Sequence, residues 1–344
     1  MSTHEHDAPW YEPGAHQVAP GVHRLVQPLL GDRLRAVNVY AIADGDGVCL
    51  VDGGWAVDGA IDQLAESLAT IGQSLRSVTR VLVTHMHLDH YTLAVALRRS
   101  HGTPIVLGEG ERASVDALIA DERPQHERDL RAWGVVQPPA RAGFPPHEGR
   151  YEPPDVWLDG PTDVTLADRV LHAIPTPGHT TGHLVFADVA GGMLFSGDHV
   201  LPHITPSIGL QNVRSPYPLE EYLASLRLML DLPDLAVLPA HGPVGHSLHE
   251  RSRQLLAHHE QRLVECAASV GAGASTAFET AEAMRWTRRG HHLSELDGLA
   301  QTLAVGETAA HLEVLARRGE LDRAEVDGVV RYTVASVVAA TPVL

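Results

Sequence analysis

The sequence predicts an α/β protein with two sheets packed face to face, helices outside them, and a small C-terminal domain. Over the first 270 residues, short strand-like segments come in two batches, each followed by helical spacing. GAGAST (271–276), a run of small flexible residues, then sets off a compact remainder. Finally, VLVTHMHLDH (81–90) gathers three histidines and an aspartate where an apolar run ends.

The first batch holds GVHRLVQ (21–27), RLRAVNVYAIA (33–43) and GVCLVDGG (47–54), each rich in β-branched or apolar residues and bounded by glycine or aspartate. Apolar residues at 61, 64, 68 and 71 give 57–72 a helical face. SVTRVLVTH (77–85) and PIVLG (104–108) read as strands, 89–100 and 109–134 as helical, and 143–161 as a Pro/Gly-rich loop. The second batch is 163–166, 169–174, 182–188 and 192–198, then a helix over 218–232, a strand over 235–242 and a helix over 246–270. Past the linker come helical patterns at 276–286, 296–304 and 307–318, and a hairpin over 320–336 turning at Asp327-Gly328. The expected division is a polar tail over 1–19, a catalytic domain over 20–270 and a small domain over 271–344.

Composition is ordinary for a globular chain, with 44% hydrophobic and 20% charged residues. No apolar run is long enough to cross a bilayer, and MSTHEHDAPWYEPG lacks the apolar core of a secretory signal. Cys49 and Cys266 sit in apolar segments and read as reduced core thiols, which points to the cytoplasm. A formal net charge of −17 disfavours nucleic acid as a partner. The 23 histidines prove nothing by number; His4, His6, His16, His258 and His259 read as surface residues, so spacing must carry the argument.

In His85-Met86-His87-Leu88-Asp89-His90, extended backbone turns residues two apart the same way, so both first imidazoles can face one ion. Asp89 and His90, opening a helix, face a neighbouring point. Three further donors close later strands: His179 in PTPGHTTGH, Asp198 in LFSGDH and His241 in LPAHG. Seven nitrogen and oxygen donors without a cysteine favour zinc, with manganese or iron as alternatives.

This order of donors resembles the metallo-β-lactamase superfamily over about residues 20–270. The resemblance implies a four-layer αββα sandwich with a dinuclear site at one edge. His85, His87 and His179 would hold one metal, Asp89, His90 and His241 the other, and Asp198 would bridge them. Two zinc ions per chain would hold a hydroxide that attacks a scissile carbonyl or phosphoryl group, with Asp89 orienting it or protonating the leaving group. Residues 276–336 resemble the winged-helix domain appended to some of these hydrolases, including lactamase-like endoribonucleases.

Around this set, Asp52 is either an orienting partner for a ligating histidine or a turn aspartate before Gly53-Gly54. Thr84 reads as a strand threonine, with support of a ligating histidine as the alternative, and Asn38 as a satisfied core amide. Tyr91 stands where many members carry a small residue; packing is the favoured reading, a hydroxyl aimed at substrate the other. His199 and His203 are either substrate contacts or loop histidines. Loop 143–161, with Phe144, Tyr151 and Trp157, is a candidate lid. In the C-terminal unit Arg317, Arg318, Arg323 and Arg331 lie among acidic residues and make no basic face, so packing, homodimerisation or a wall over the active site is favoured there, with Trp286 and Leu293 in the core. The expected activity is hydrolysis of a small ester, thioester or lactone. Endoribonuclease and mononuclear-iron persulfide dioxygenase are the alternatives.

Overall fold

The computed structural model of the protein describes residues 9–29, 34–120, 126–137, 149–209, 211, 213 and 215–335. They form two compact units. The first takes the described residues of Met1–Glu122, His147–Pro206 and Glu221–Leu255; the second takes those of Arg123–Pro146, Ser207–Glu220 and Leu256–Leu344. Phe144 and the first eight residues lie outside the described set.

In the first unit a seven-stranded sheet runs, in spatial order, β1 Gly14–Ala19, β2 Val22–Pro28, β3 Ala36–Asp44, β4 Gly47–Val51, β5 Val78–Leu82, β6 Ile105–Gly108 and β7 Val156–Leu158. Its first four strands pair antiparallel and the rest parallel. The parallel steps need crossovers, and α1 Ala60–Thr70 and α2 Leu88–His101 supply them. The second sheet holds β8 Thr162–Thr165, β9 Val170–Pro175, β10 Leu184–Asp188, β11 Met193–Gly197, β12 Ala236–Pro239 and β13 His246–Ser247.

Alternation along the strands divides the core. Tyr40, Ile42, Cys49, Val51 and Leu82 turn toward Leu171, Ala173, Phe186, Phe195 and Leu238 of the other sheet. Tyr40 meets Phe195 edge-on, with ring centroids 5.3 Å apart. The intervening positions Leu25, Val39, Leu50 and Val81 pack under Leu64 and Leu68 of α1 and Leu93 and Leu97 of α2. The two-sheet expectation therefore holds, and the fold is the four-layer sandwich with a C-terminal domain after it. Cys49 and Cys266 are buried and unbridged.

Three strands depart from the sequence reading, one of them β13, which takes the first two residues of the helix expected over 246–270. β1 comes from the stretch expected to be a polar tail: one edge of the sheet takes GAHQVA as a half-buried strand, which its weak alternation hid. β7 lies inside the expected lid loop and pairs with β6. Tyr151, from the same loop, is buried in the core, so the described part of 143–161 is wall rather than lid.

α3 Arg112–Ile119 completes the helices between β6 and β7 in the first unit. α5 Pro218–Met229 sets its Tyr222 and Ser225 on the loops beside the second sheet, donating to the carbonyls of His199 (2.8 Å) and Pro177 (2.9 Å). Among the described residues no helix is long and apolar enough to cross a membrane.

The second unit holds α4 His126–Ala132, most of α6 Leu248–Gly271, α7 Ala277–Ala283, α8 Gly298–Arg317 and the hairpin β14 Leu321–Val326 with β15 Val329–Val334. The two patterns read at 296–304 and 307–318 are one helix. Asp297 caps it, accepting from the amide of Ala300 at 2.9 Å. Gly306, between the two patterns, lies where the Trp133 ring would stand 3.3 Å from an added Cβ, so its smallness serves packing. Trp286 and Leu293 are core residues, as expected.

Candidate metal centre

β5 stops at Leu82, before the histidines, and this corrects the expectation that His85 and His87 alternate on a strand. Val83 still donates to the Val106 carbonyl at 2.9 Å, but the amide of Thr84 turns to Asp52 Oδ1 at 2.8 Å. The two imidazoles converge because the loop is held there. His87 is the residue before the first turn of α2, with φ −60° and ψ 155°, and Asp89 and His90 occupy that turn as expected.

His179 enters from the loop after β9, Asp198 from the end of β11, and His241 from just beyond β12. His85 Nε2 lies 2.9 Å from His87 Nδ1, and His179 Nε2 lies 3.2 and 3.1 Å from those two atoms. A tetrahedral ion with metal–nitrogen bonds of about 2.0–2.1 Å sets its ligand nitrogens about 3.3 Å apart. The triangle is therefore one face of such a coordination shell.

The second group is built around carboxylates. His241 Nε2 lies 3.3 Å from Asp89 Oδ2 and 3.4 Å from Asp198 Oδ1, and His90 Nε2 lies 3.7 Å from each of the same atoms. Asp198 turns its other oxygen, Oδ2, to His179 Nε2 at 3.6 Å. It thus faces both groups at once.

Hydrogen bonds behind the rings decide which nitrogen is presented. His241 Nδ1 donates to the Ala36 carbonyl at 2.8 Å; a carbonyl only accepts, so in the neutral ring Nε2 carries the lone pair. His90 Nδ1 lies 2.9 Å from Asp52 Oδ2, with the same result. In that neutral form two lone pairs would face two carboxylates, a repulsive arrangement that a proton or a metal cation relieves. His90 Nε2, His241 Nε2 and Asp198 Oδ1 are buried without a hydrogen-bond partner. Burial disfavours charge on His90, but Asp89, Asp52 and Asp198 outweigh it and lift its pKa to about 10; Asp198 and Asp89 likewise raise His241. In the other group, burial and then the neighbouring imidazoles push His85 well below its usual value. These are donors arranged for a divalent metal ion.

The histidine loops are tied to the sheets by groups that spacing did not reveal. Asn38 donates to the carbonyls of Pro239 and Gly242 at 2.9 and 3.0 Å, and Tyr40 to Pro239 at 2.7 Å, which pins the turn of His241. Both amide hydrogens of Asn38 are thus used, but its Oδ1 is buried without a partner, so the satisfied core amide expected is found on the donor side only. His183, in the GHTTGH run but passed over, sits with Nδ1 2.9 Å from the Thr176 hydroxyl and accepts the Asp198 amide at Nε2, 3.2 Å away. Its signal was the second Gly-His of that run.

Glu111 was also missed. Its carboxyl is fully buried and accepts from the hydroxyl of Thr180, the residue after His179. Burial lifts its pKa to about 7 against the pull of Thr180 and the amides of Met86 and Gly182. Between its ordinary value of 4.5 and 7, the folded chain holds a proton that the unfolded chain has lost. Stability from this group is thus complete below about 4.5 and disappears as pH rises through 7. In the metal-stripped chain, wild type should lose about 2.5 kcal/mol relative to Glu111→Gln between pH 5 and pH 8. Urea unfolding at both pH values reads this, and parallel curves would refute it.

Gly182 brings the Glu111 segment against the His179 loop at backbone contact. A Cβ there would run into the Glu111 amide and the Gly110 carbonyl carbon, neither of which can rotate away. Gly182→Ala should cost about 1–3 kcal/mol of stability in thermal or urea unfolding. An unchanged midpoint would show that the two loops can separate.

Other candidates fall outside the cluster. Tyr91 is fully buried, donates to the Glu152 carbonyl at 2.6 Å and stacks on Tyr151 at 5.7 Å, which supports packing over a substrate contact. Tyr151 reaches the motif instead, donating to the Met86 carbonyl at 2.9 Å. His199 is fully buried, edge-on to Tyr222 at 5.2 Å, and His203 is exposed beside His246 at 5.7 Å. Trp157 lies beneath Arg112, 4.4 Å away.

Comparison with known proteins agrees with this geometry. Residues 32–241 match the metallo-beta-lactamase superfamily, and residues 263–335 match its metallo-beta-lactamase-like C-terminal domain. The Beta-lactamase-like protein 2 homolog of Drosophila melanogaster is 27% identical over 294 residues, covering 77% of this chain and 83% of that one. A metallo-beta-lactamase family protein from Thermus thermophilus superposes with a TM-score of 0.76 at 27% identity, covering 92% of this chain and 100% of that one. A beta-lactamase domain protein from Burkholderia ambifaria gives 0.74 at 28% identity, over 94% and 97%. With the sandwich, the histidine–aspartate cluster and both matches in hand, the chain belongs to the metallo-beta-lactamase superfamily of metal-dependent hydrolases and carries that superfamily's C-terminal domain.

Proposed function

We propose that the protein is a dinuclear zinc hydrolase of a small ester, thioester or lactone. The observation that carries this is Asp198, whose two oxygens face different histidine groups, Oδ1 toward His90 and His241 and Oδ2 toward His179. His85, His87 and His179 would hold one ion, Asp89, His90 and His241 the other, with Asp198 shared. Bound there, the ions supply an acidified water and Lewis-acid pull on the scissile carbonyl.

The chain's own residues do the rest. Asp52 and the Ala36 carbonyl hold His90 and His241 in the tautomer that offers Nε2. In the metal-free chain, although burial opposes it, His90 and His241 hold the Asp89 carboxyl far below its usual range, so it is ionised before an ion binds. Its side chain is 18% exposed, more than those of His90, His179, His241 and Asp198 around it. From there it accepts a hydrogen bond from the attacking water and directs it at the substrate.

Two features favour a small carbonyl substrate over nucleic acid. The net charge is −17, and four of the arginines of the C-terminal unit are engaged: Arg317 with Glu220, Arg318 with Glu260, Arg323 with Glu313 and Arg331 with Ser275. The test is elemental analysis of the purified chain together with an assay panel of thioesters, lactones, aryl esters, β-lactams, phosphodiesters, structured RNA and persulfide. Carbonyl-ester turnover is expected, with two zincs per chain at the Asp198 centre, counted as the zinc that Asp198→Ala loses. RNA cleavage without ester turnover, or a single iron with oxygen uptake on persulfide, overturns the proposal.

A further inference from the structure

A second cluster of metal-type donors lies in the other compact unit, between α6 and α8. Ligand atoms of His258, His259 and Glu307 all lie within 4.8 Å of one another. Glu307 and His311 are four residues apart on α8, so they share a face, and that face meets His259. The His259 and His311 rings are buried and stacked, with centroids 5.2 Å apart and planes at 29°. His258, next to them on α6, is exposed, and Glu307 is half-buried.

Hydrogen bonding assigns the protons. His311 Nδ1 lies 2.7 Å from the Glu307 carbonyl, which only accepts, so that nitrogen carries the hydrogen. In the neutral ring, His311 Nε2 then holds a lone pair, and His259 Nδ1, 3.1 Å away, donates to it. This leaves Nε2 as the lone-pair nitrogen of His259. The relay is the device seen at His241: a backbone carbonyl fixes a tautomer and thereby fixes which nitrogen can bind a metal. The nearby cation, Arg262, is engaged elsewhere. It bonds Glu265 at 2.8 Å and the Arg285 carbonyl at 3.1 Å, and stacks 4.4 Å over the Trp286 ring.

We propose that His258, His259 and Glu307 bind a divalent transition-metal ion of the zinc type, separate from the Asp198 centre, with His311 as the positioning residue. Two imidazoles and a carboxylate are borderline donors that suit zinc. The exposure of His258 lets water complete the shell. An ion here would clip α6 to α8, the two longest helices of the second unit.

The test is zinc stoichiometry of the full chain, stripped with a chelator, reloaded with Zn2+ and desalted. Wild type is compared with His258→Ala and Glu307→Gln. Each variant should hold one zinc fewer per chain than wild type, and combining His258→Ala with Asp198→Ala should remove more than either change alone. His258→Ala alters an exposed side chain, so the fold is retained in at least that variant, and circular dichroism checks it. Equal zinc content in wild type and His258→Ala overturns the proposal, whatever Glu307→Gln shows.

Discussion

Asp198→Ala is expected to abolish turnover and to strip metal from the sandwich domain. The loss in kcat/KM should exceed the ~10–100-fold typical of residues that merely orient a ligand. Asp198 stands close to imidazoles from both donor groups, at 3.4 and 3.7 Å on one side and 3.6 Å on the other. Removing it deprives His90 and His241 of a negative neighbour that raises their affinity for a proton, and the same field favours a metal cation. The backbone should hold, because the amide of residue 198 is still accepted by His183 Nε2 and Gly197 keeps its φ of 50°. Elemental analysis and steady-state kinetics on a chain with native circular dichroism read the result. Retained turnover with retained metal would place the chemistry elsewhere.

The sandwich was legible because its strands are short, apolar and punctuated. β2 to β6 and β8 to β12 all fall within a few residues of the segments that periodicity marks. The edges were not. β1 is half-buried along its length and β7 has three residues, so neither carries the contrast on which alternation depends. The seven donors were legible because their chemistry is rare at strand ends, even though the geometric reason offered for His85 and His87 does not hold. What holds those donors was hidden. Glu111, His183 and the Pro239 carbonyl act through contacts between residues far apart in sequence, and only folding brings them together. His258 and His259 show the same limit. By spacing they are surface histidines on a helix, and only the packing of α8 against α6 shows that His259 is buried.

Asp52→Asn is expected to weaken metal binding and turnover about 10–100-fold while leaving the fold intact. Residue 52 has φ 63°, a conformation that asparagine tolerates better than other L-residues, so the backbone can accept the change. The chemistry cannot. Asp52 accepts the Thr84 amide at 2.8 Å and hydroxyl at 2.9 Å on Oδ1, and His90 Nδ1 at 2.9 Å on Oδ2. Asparagine has one oxygen for these donors. If the oxygen stays with the Thr84 amide, the new NH2 faces His90 and drives its proton to Nε2, where it blocks the metal. If the amide flips to serve His90, Thr84 is left with a buried unsatisfied N–H at a cost of about 1–3 kcal/mol. The two outcomes separate experimentally. In the first, activity recovers at high zinc concentration because the defect lies in affinity. In the second, against the expectation, metal affinity is retained and the midpoint of thermal unfolding falls. Wild-type affinity together with wild-type stability would show that neither His90 nor Thr84 depends on the carboxylate. The left-handed turn at residue 52 would then be the reason an aspartate stands there.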